Sequence, residues 1–260
     1  MSFAKASIGD AVQLVVALES TYPSTSINWE GILNYQYQHA VVRPRTVVDA
    51  GAHEGAHTAS FVNWAEVVIC FEPIPWLAAE LRNRFKRAVI HEVALSDSTG
   101  EASFAINRAI PSHSGLQIRK DADLKSIAEV RVQINRLDAY SLTDVDYIKI
   151  DCEGAELSVL KGAETTIQRY RPLLSVEYGW SGYSPYGWKK SSLYEWAVTH
   201  GYTVADLFGF LLNNPQTYDQ CVDRYYWDFF VIPNERLGDM GERLSTNGQE
   251  VLANLHKFSA

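Results

Sequence analysis

Residues 46–55 decide the fold class of this chain and read Thr-Val-Val-Asp-Ala-Gly-Ala-His-Glu-Gly. Two β-branched valines precede Asp49 and suit a buried parallel strand. Gly51 and Gly55 then permit a tight turn and close packing of the helix that follows. A strand that feeds a helix in this way places its turn at the carboxyl edge of an open α/β sheet, where such folds bind their ligands.

A nicotinamide dinucleotide is one candidate ligand for this turn, and its fingerprint is G-x-G-x-x-G. Counted from Gly51, the second and third glycine positions hold His53 and Ala56. Asp49 would repel a pyrophosphate, but its carboxylate could accept hydrogen bonds from a cationic amino group. S-adenosylmethionine carries such an ammonium and no phosphate. The turn therefore favours S-adenosylmethionine over a nicotinamide cofactor.

Composition sets outer bounds on the class of protein. The 260 residues and a hydrophobic fraction of 47% suit one globular α/β domain, or a domain with a small cap. A net charge of -8 argues against broad phosphate neutralisation, so we expect no nucleic-acid partner. The three cysteines form no CxxC pair, which suggests reduced thiols. With no signal-peptide pattern and no run of about 20 apolar residues, we expect a cytoplasmic protein without a membrane span.

Strand and helix patterns alternate from Arg45 onward, and this alternation predicts a parallel sheet. We expect residues 1–43 to form a helical cap or an oligomer contact, with Ile8 on its apolar stripe. We expect residues 44–235 to form the main domain and residues 236–260 a helical tail. The predicted strands cover residues 46–49, 67–71, 89–95, 130–134, 147–151, 173–177, 202–207 and 227–232.

Acidic residues end three of the predicted strands. Asp49, Glu72 and Asp151 should share one crevice, because the carboxyl ends of parallel strands meet at one edge of a sheet. Glu72 is placed to accept both hydroxyls of an adenosine ribose, and a solvated strand-end acid is the alternative. Ala94 and Ser96 end the third predicted strand, where backbone groups can meet an adenine.

The order and spacing of the motifs resemble the FkbM family of S-adenosylmethionine-dependent methyltransferases from about residue 45 to residue 178. The resemblance implies a class I methyltransferase fold, a Rossmann-like three-layer α/β sandwich. Its seven-stranded sheet is mostly parallel, with the last strand antiparallel. The motifs that carry it are residues 48–55, Phe71-Glu72-Pro73, Val93-Ala94-Leu95-Ser96-Asp97, residues 148–156 (Ile-Lys-Ile-Asp-Cys-Glu-Gly-Ala-Glu) and Leu160-Lys161-Gly162-Ala163.

The resemblance further implies S-adenosylmethionine as cofactor and O-methylation of a sugar, a glycoside or a similar small metabolite. By position, Asp49, Gly51 and Gly55 would hold the methionine part, Glu72 the ribose, and Asp151 would lie near the transferred methyl. His53 and Cys152 depart from the family pattern, which usually has Asn and a β-branched residue there. The other expected cofactor contacts are Ala52, His53, Thr58, Ala94 and Ser96.

Methyl transfer from a sulfonium requires an aligned hydroxyl oxygen and removal of its proton. Asp151 is our first candidate for the base, with Glu153, Glu177 and His113 as alternatives. For His113, a solvated loop histidine is an equally weighted interpretation. The alternative role for a carboxylate is to orient the hydroxyl and stabilise the sulfonium.

We expect no metal site, since His53 and His57 lack a matched third ligand and an acidic crevice alone does not establish a magnesium site. Two other functions compete with the methyltransferase. One is a cofactor-binding regulatory module without turnover, against which the three acidic strand ends argue. The other is a nicotinamide-dependent oxidoreductase, against which the missing glycines argue.

Aromatic residues interleave with glycines and prolines after Glu177. Trp180, Tyr183, Tyr186 and Trp188 could stack on a sugar face, and the alternative is an aromatic cluster at a subunit contact. No motif in the sequence identifies the acceptor molecule.

Overall fold

The computed structural model describes residues 10–259. Two compact units divide the chain. One is Arg43–Lys189, and the other combines the described residues up to 42 with those from 190 onward. Every residue of the candidate site lies in the unit Arg43–Lys189.

The helices and strands alternate through most of the chain, as the sequence predicts. The strands are β1 (Thr46–Ala50), β2 (Val67–Phe71), β3 (Ala88–His91), β4 (Ala94–Leu95), β5 (Gly100–Asn107), β6 (Ile127–Asn135), β7 (Val145–Ile150), β8 (Leu173–Glu177), β9 (Tyr202–Ala205) and β10 (Asp228–Pro233). The α-helices are α1 (Ala11–Thr21), α2 (Trp29–Ala40), α3 (Ala56–Trp64), α4 (Pro75–Arg84), α5 (Glu156–Gly162), α6 (Glu164–Tyr170), α7 (Trp180–Tyr183), α8 (Ser192–Thr199), α9 (Pro215–Cys221) and α10 (Glu242–Ala253).

The main sheet has seven strands in the order β3-β2-β1-β7-β8-β10-β9. The pairs β1–β2, β1–β7, β2–β3 and β7–β8 are parallel, and β10 is antiparallel to β9. This arrangement confirms the predicted α/β class, a mostly parallel sheet that ends in an antiparallel strand. The strand order reverses direction between β1 and β7, and open α/β sheets bind ligands at such a point.

Burial explains why β1 is so apolar. All five of its residues are buried, and Val47 and Val48 are fully inaccessible because β1 lies inside the sheet between β2 and β7. Residues that are buried on both faces of a parallel sheet form continuous apolar runs rather than alternating patterns. Asp49 is therefore a carboxylate that this strand carries into the protein interior.

The predicted third strand, residues 89–95, is wrong as a single element. β3 ends at His91, and Ala94 and Leu95 belong to a second sheet of order β4-β6-β5. The apolar residues after His91 contribute to a different core, in which Ala94 is buried with Ile74, Phe104 and Val132. β5 pairs with β6 as an antiparallel hairpin, and residues 108–126 form the long connection between them.

The other unit contains α1, α2 and α8 to α10, with the strands β9 and β10. Asp10 caps α1 by accepting from the backbone N–H of Gln13, and Asn28 caps α2 in the same way. The predicted helical leader thus contains two helices, and its residue Ile8 lies outside the described residues. Within residues 10–259 no helix has both the length and the apolar character needed to cross a membrane.

Candidate cofactor and active site

Asp49 lies at the end of β1 and is 1% exposed. Its Oδ2 accepts a hydrogen bond of 2.6 Å from the Thr58 hydroxyl on α3. Its Oδ1 is buried and has no hydrogen-bond partner among the residues that the structure describes. Burial raises the pKa of Asp49, and the nearby positive charge of Lys149 opposes that shift. A buried carboxylate oxygen without a partner is costly, so this atom suits a cationic ligand group.

Glu72 follows β2 and connects two turns at the sheet edge. Its Oε2 accepts from the backbone N–H of His53 at 2.8 Å, and its Oε1 accepts from that of Ile74 at 2.8 Å. Glu72 is 3% exposed, and burial raises its pKa to about 7 although both hydrogen bonds favour the carboxylate. Each oxygen keeps further acceptor capacity, which ribose hydroxyls could use.

His53 is the residue of the β1 turn that departs from the pattern of the family this sequence resembles. Its backbone is left-handed, with φ of 47°, and its Nε2 is a buried atom without a hydrogen-bond partner in the described part of the chain. The preceding Ala52 is 5% exposed and donates its N–H to the carbonyl of Phe71. Glu72 and Phe71 thus hold both residues of the turn through backbone hydrogen bonds.

Close packing explains why both residues 51 and 55 of this turn are glycines. Gly51 has φ of 84°, and a Cβ there would lie 1.8 Å from the carbonyl oxygen of Asp151. Gly55 has φ of 82°, and a Cβ there would lie 2.6 Å from both Leu81 and Phe85. The close approach of β1 to the β7 turn requires the first glycine, and the packing of α4 requires the second. Their expected contact with a cofactor stays a prediction.

Ala94 and Ser96, the expected adenine contacts, lie in the smaller sheet. Ala94 belongs to the same small core as Ile74, whose backbone N–H donates to Glu72. Ser96 donates its N–H to the carbonyl of Asn135, and its own carbonyl oxygen would lie 2.0 Å from a Cβ at Gly162. Packing explains the burial of both residues, and their role toward an adenine stays a prediction.

Asp151 follows β7, beside the end of β1. Its backbone N–H donates to the carbonyl of Ala50 at 3.0 Å, which joins the two strand ends. The Nζ atom of Lys149 lies 2.8 Å from its Oδ2. Burial opposes ionisation of Asp151, but the charge of Lys149 and hydrogen bonds from Glu177 and Lys149 outweigh it and lower the pKa to about 2.

Glu177 ends β8 and forms a hydrogen bond with the Asp151 carboxyl group. Carboxylate oxygens of the two residues lie within 4.8 Å of each other. The ends of β7 and β8 therefore bring these two carboxyl groups together.

Glu153 stands in the turn between β7 and α5, with a left-handed backbone of φ 53°. It forms an ion pair with Arg119, and the two side chains are only 11% and 3% exposed. Burial and the negative charge of Asp151 raise the pKa of Glu153 to about 8, against the effect of Arg119. Arg119 also donates to the Ser181 hydroxyl and to Asp121. It thereby connects the β5–β6 loop to the turn after β7 and to α7.

His113 lies in the same loop, in the 3-10 turn Pro111–His113. Burial and the charge of Arg119 lower its pKa, so its imidazole is neutral at pH 7. Two residues later, Gly115 lies close to the carbonyl oxygen of Glu153. The loop that carries His113 therefore packs on the turn that carries Glu153.

Carboxylate oxygens of Asp151, Glu153 and Glu177 all lie within 4.8 Å of one another, a spacing that a metal ion could use. Arg119 pairs with Glu153, and Lys149 pairs with Asp151. Cationic side chains of the chain itself thus balance two of the three carboxylates, and we assign no cation to the cluster.

The aromatic residues after Glu177 divide into buried and exposed ones. Tyr183 is 4% exposed and stacks on Tyr178 with ring centroids 4.6 Å apart. The Trp188 ring lies 4.3 Å from the Nζ of Lys161. Trp180 is 54% exposed and begins α7, three residues after Glu177. Of the proposed stacking residues, Trp180 is therefore the one most available to a ligand.

The sequence patterns did not identify two residues of the site, Lys149 and Arg119. Lys149 carries a usable signal, because it is a charged residue within the apolar run Tyr147-Ile148-Lys149-Ile150. Arg119 carries none, since it lies in an irregular loop and acquires its partners Glu153 and Ser181 only through the fold.

The strand order, with the antiparallel β9–β10 end and acids at the ends of β1, β2 and β7, defines the class I methyltransferase fold. The sequence model of the family described as "Methyltransferase FkbM domain" matches residues 49–213. The chain therefore belongs to the FkbM family of S-adenosylmethionine-dependent methyltransferases, which sets aside a nicotinamide-dependent oxidoreductase. No match to a curated protein was found.

Several solved structures are similar to this chain. One is the FkbM methyltransferase of Methylobacillus flagellatus KT, with 16% identity over 85% of this chain and a TM-score of 0.46; the match spans only 62% of that protein's length. Another is a TehB-like SAM-dependent methyltransferase from Corynebacterium glutamicum, with 14% identity, coverage of 84% of this chain and 92% of that one, and a TM-score of 0.41.

A third is the 1,6-didemethyltoxoflavin-N1-methyltransferase of Burkholderia thailandensis, with 15% identity, coverage of 85% of each chain and a TM-score of 0.33. That protein was crystallised with 1,6-didemethyltoxoflavin and S-adenosylhomocysteine.

Proposed function

We propose that this chain transfers a methyl group from S-adenosylmethionine to a hydroxyl of a sugar, a glycoside or a similar small metabolite. The observation that carries the cofactor assignment is the buried Oδ1 of Asp49, which lies at the switch point of the sheet without a hydrogen-bond partner in residues 10–259. A cationic ammonium group would satisfy that oxygen.

The other residues at this edge fit the same cofactor. Glu72 is a buried acceptor whose two oxygens would receive the ribose hydroxyls, while its backbone contacts keep it in place. Thr58 orients Asp49, and Ala52 and His53 present the β1 turn to the methionine part. When bound, S-adenosylmethionine supplies an activated methyl group on a sulfonium, so the chain itself need only align the acceptor and manage one proton.

We assign the proton acceptor to Glu153 and a fixed negative charge to Asp151. A general base works best when its pKa lies near the working pH. The pKa of Asp151 is lowered to about 2, which makes this carboxylate a weak base, whereas that of Glu153 is raised to about 8. Glu177 and His113 remain the alternatives, since both lie on elements that border the same turn.

Two features of the site support a neutral, hydroxylated acceptor: its paired cations and the exposed ring of Trp180. Lys149 and Arg119, two cations that contact the acids of the site, are paired with Asp151 and Glu153 rather than left for an anionic group of the acceptor. A neutral hydroxylated molecule suits such a site, and the exposed Trp180 offers a ring face for stacking against a sugar. A cytoplasmic location is a further part of the proposal, as is a helical cap or a homo-oligomer contact formed by residues 1–43.

A labelled-methyl assay against a panel of sugars and glycosides tests the proposal, with Glu153→Gln, Asp151→Asn and Glu177→Gln beside the parent chain. We expect Glu153→Gln to lower kcat by about 10²-fold or more, the range that a general base contributes. Asp151→Asn should chiefly weaken cofactor binding. Full turnover by Glu153→Gln would move the base to Glu177 or His113. Cofactor binding without transfer to any acceptor would favour the regulatory module.

A further inference from the structure

Lys149 is a lysine in the interior of a parallel sheet. It is 3% exposed, and its neighbours Tyr147, Ile148 and Ile150 on β7 are fully inaccessible. Burying an ammonium group is expensive unless it is paired and hydrogen-bonded. An apolar residue would pack better at this position. Packing therefore does not explain why a lysine is found there.

The geometry directs this charge at the acids of the site. The Nζ atom lies 2.8 Å from Oδ2 of Asp151, the residue two positions further along the chain. In the sheet register, Lys149 stands opposite Asp49 on β1 and Ser175 on β8. Side chains at paired positions of adjacent strands lie on the same face of a sheet. Lys149 thus belongs to the same face as Asp49 and contacts Asp151.

The titratable groups around Lys149 and Asp151 come from four parts of the fold. They are Asp49 on β1, His57 on α3, Asp151, Cys152 and Glu153 in the turn after β7, and Glu177 at the end of β8. Burial and the charge of Lys149 together lower the pKa of His57 to about 3, so His57 is neutral and adds no competing cation. Lys149 is then the positive charge that acts on both strand-end aspartates.

Carboxylate oxygens of Asp151, Glu153 and Glu177 lie within 4.8 Å of one another. Burial and nearby like charges both favour the protonated form of a carboxyl group. Without Lys149, Asp151 would lose its main electrostatic support, and we expect it to hold a proton at neutral pH. A neutral carboxylic acid does not attract a cationic ligand.

We propose that Lys149 is a positioning residue that keeps the Asp151 carboxylate ionised and fixed, so that it presents a negative charge to the cationic end of the cofactor. Lys149 acts through Asp151 and does not itself contact the ligand. This inference rests on the proposed function, because it assigns the same cofactor to the same edge of the sheet.

The test compares Lys149→Met and Lys149→Arg with the parent chain, and uses Lys86→Met, an exposed lysine on another surface, as control. The first readout is the NMR titration of the Asp151 carboxyl carbon in ligand-free protein, assigned by its loss in Asp151→Asn. The second is calorimetric affinity for S-adenosylmethionine across the pH range. Both readouts are independent of turnover.

In the parent chain the Asp151 signal should stay ionised across the neutral range. Lys149→Met should move its midpoint into that range and weaken cofactor binding about 10-fold near pH 6, since one pKa unit is a factor of ten. Binding should recover as the pH rises and deprotonates Asp151. Lys149→Arg should restore both readouts, and Lys86→Met should match the parent.

An unchanged Asp151 midpoint in Lys149→Met would overturn the inference while leaving the proposed function intact. Failure of the parent chain to bind S-adenosylmethionine would instead overturn the proposed function. If Lys149→Met does not fold, Lys149→Met with Asp151→Asn leaves no broken ion pair and keeps the test open. This double variant should bind the cofactor as Asp151→Asn alone does, and a further loss of 10-fold or more would contradict action through Asp151.

Discussion

The backbone N–H of His53 donates to Oε2 of Glu72 at 2.8 Å, so the carboxylate that ends β2 fixes the turn that follows β1. The same carboxylate accepts from Ile74 through its other oxygen. One buried side chain therefore shapes the turn and remains able to accept hydroxyl groups. Glu72 therefore has both a structural role in the turn and a proposed role in binding the cofactor.

Glu72→Gln should weaken the binding of S-adenosylmethionine by about 10-fold or more, because the amide replaces one acceptor oxygen with a donor. Either His53 or Ile74 then loses its partner, and one ribose hydroxyl loses an acceptor. Calorimetric titration measures the change. Glu80→Gln, on the exposed face of α4, is the matched control and should bind as the parent does. Equal affinity of Glu72→Gln and the parent would remove Glu72 from the cofactor site.

Stability should fall as the pH rises from about 4.5 to about 7 in the ligand-free protein. The buried carboxyls of Glu72 and Glu156 have a pKa near 7 in the folded chain against an ordinary value of 4.5, chiefly because of burial. Folding therefore retains protons that the unfolded chain releases in this window. The resulting stabilisation is complete below pH 4.5 and lost as the pH passes 7.

Glu156→Gln isolates one of these groups. Its Oε1 accepts from the backbone N–H groups of Cys152 and Gly154, and a glutamine oxygen can do the same. We expect the variant to reduce the slope of unfolding free energy against pH by up to about 1.4 kcal/mol per pH unit. Chemical denaturation at several pH values measures it. A slope identical to that of the parent would show that Glu156 is ionised in the folded chain at neutral pH.

Above about pH 8, where Glu153 is ionised, Arg119→Met should destabilise the chain by about 3–5 kcal/mol, because it leaves this buried carboxylate without its ion-pair partner. Arg119→Met combined with Glu153→Gln should recover a large part of that loss. Denaturant unfolding of the four chains gives the coupling as a double-mutant cycle. Additive effects of the two substitutions would mean that the ion pair does not hold the β5–β6 loop on the site.

The rate of methyl transfer should rise with pH and level off above about pH 8, because the base must be deprotonated and burial raises the pKa of Glu153 to about 8. Arg119→Met should move this limb to higher pH, since Arg119 favours the ionised form of Glu153. Measurement of kcat across the pH range with a saturating acceptor tests both statements. If the pH dependence of kcat is the same in Arg119→Met and the parent, the group that titrates is not Glu153.

Trp180→Ala should raise the KM of the acceptor by about 10-fold, the scale of a stacking contact, with little change in kcat. Trp76→Ala is the control, because that side chain is also exposed, at 56%, but belongs to α4. Steady-state kinetics with the best acceptor of the panel provide the comparison. Equal KM values for the two variants would leave Trp180 without a role in acceptor binding.

The parallel core and its acidic strand ends could be predicted from sequence because local patterns specify them. An apolar run ending in an acid, followed by glycines, identifies β1 and its turn, and the same pattern identifies β7 with Asp151. The hairpin β5–β6 was harder, since the first part of β5 is exposed and polar, as Gly100, Glu101 and Ser103 illustrate. The sequence does not predict the end of β3 at His91, because Ala94 is as apolar as a residue of a continuing strand.

The chemistry of the site was less accessible than its location. Asp151 is the obvious base by position, yet its strength as a base depends on Lys149 and Glu177, whose contacts with it only the fold creates. Gly51 and Gly55 have the spacing of a cofactor loop, but the structure gives each a packing reason. The charge of a buried group depends on neighbours from distant strands, and sequence spacing does not contain that information.

Calorimetric titration of the purified full chain with S-adenosylmethionine, with NAD as the competing cofactor, tests the central claim most directly. We predict saturable one-site binding of S-adenosylmethionine, an affinity about 10-fold or more lower in Asp49→Asn, and no binding of NAD. Absence of S-adenosylmethionine binding by the parent chain, or affinity unchanged in Asp49→Asn, would contradict the assignment of this sheet edge to the cofactor.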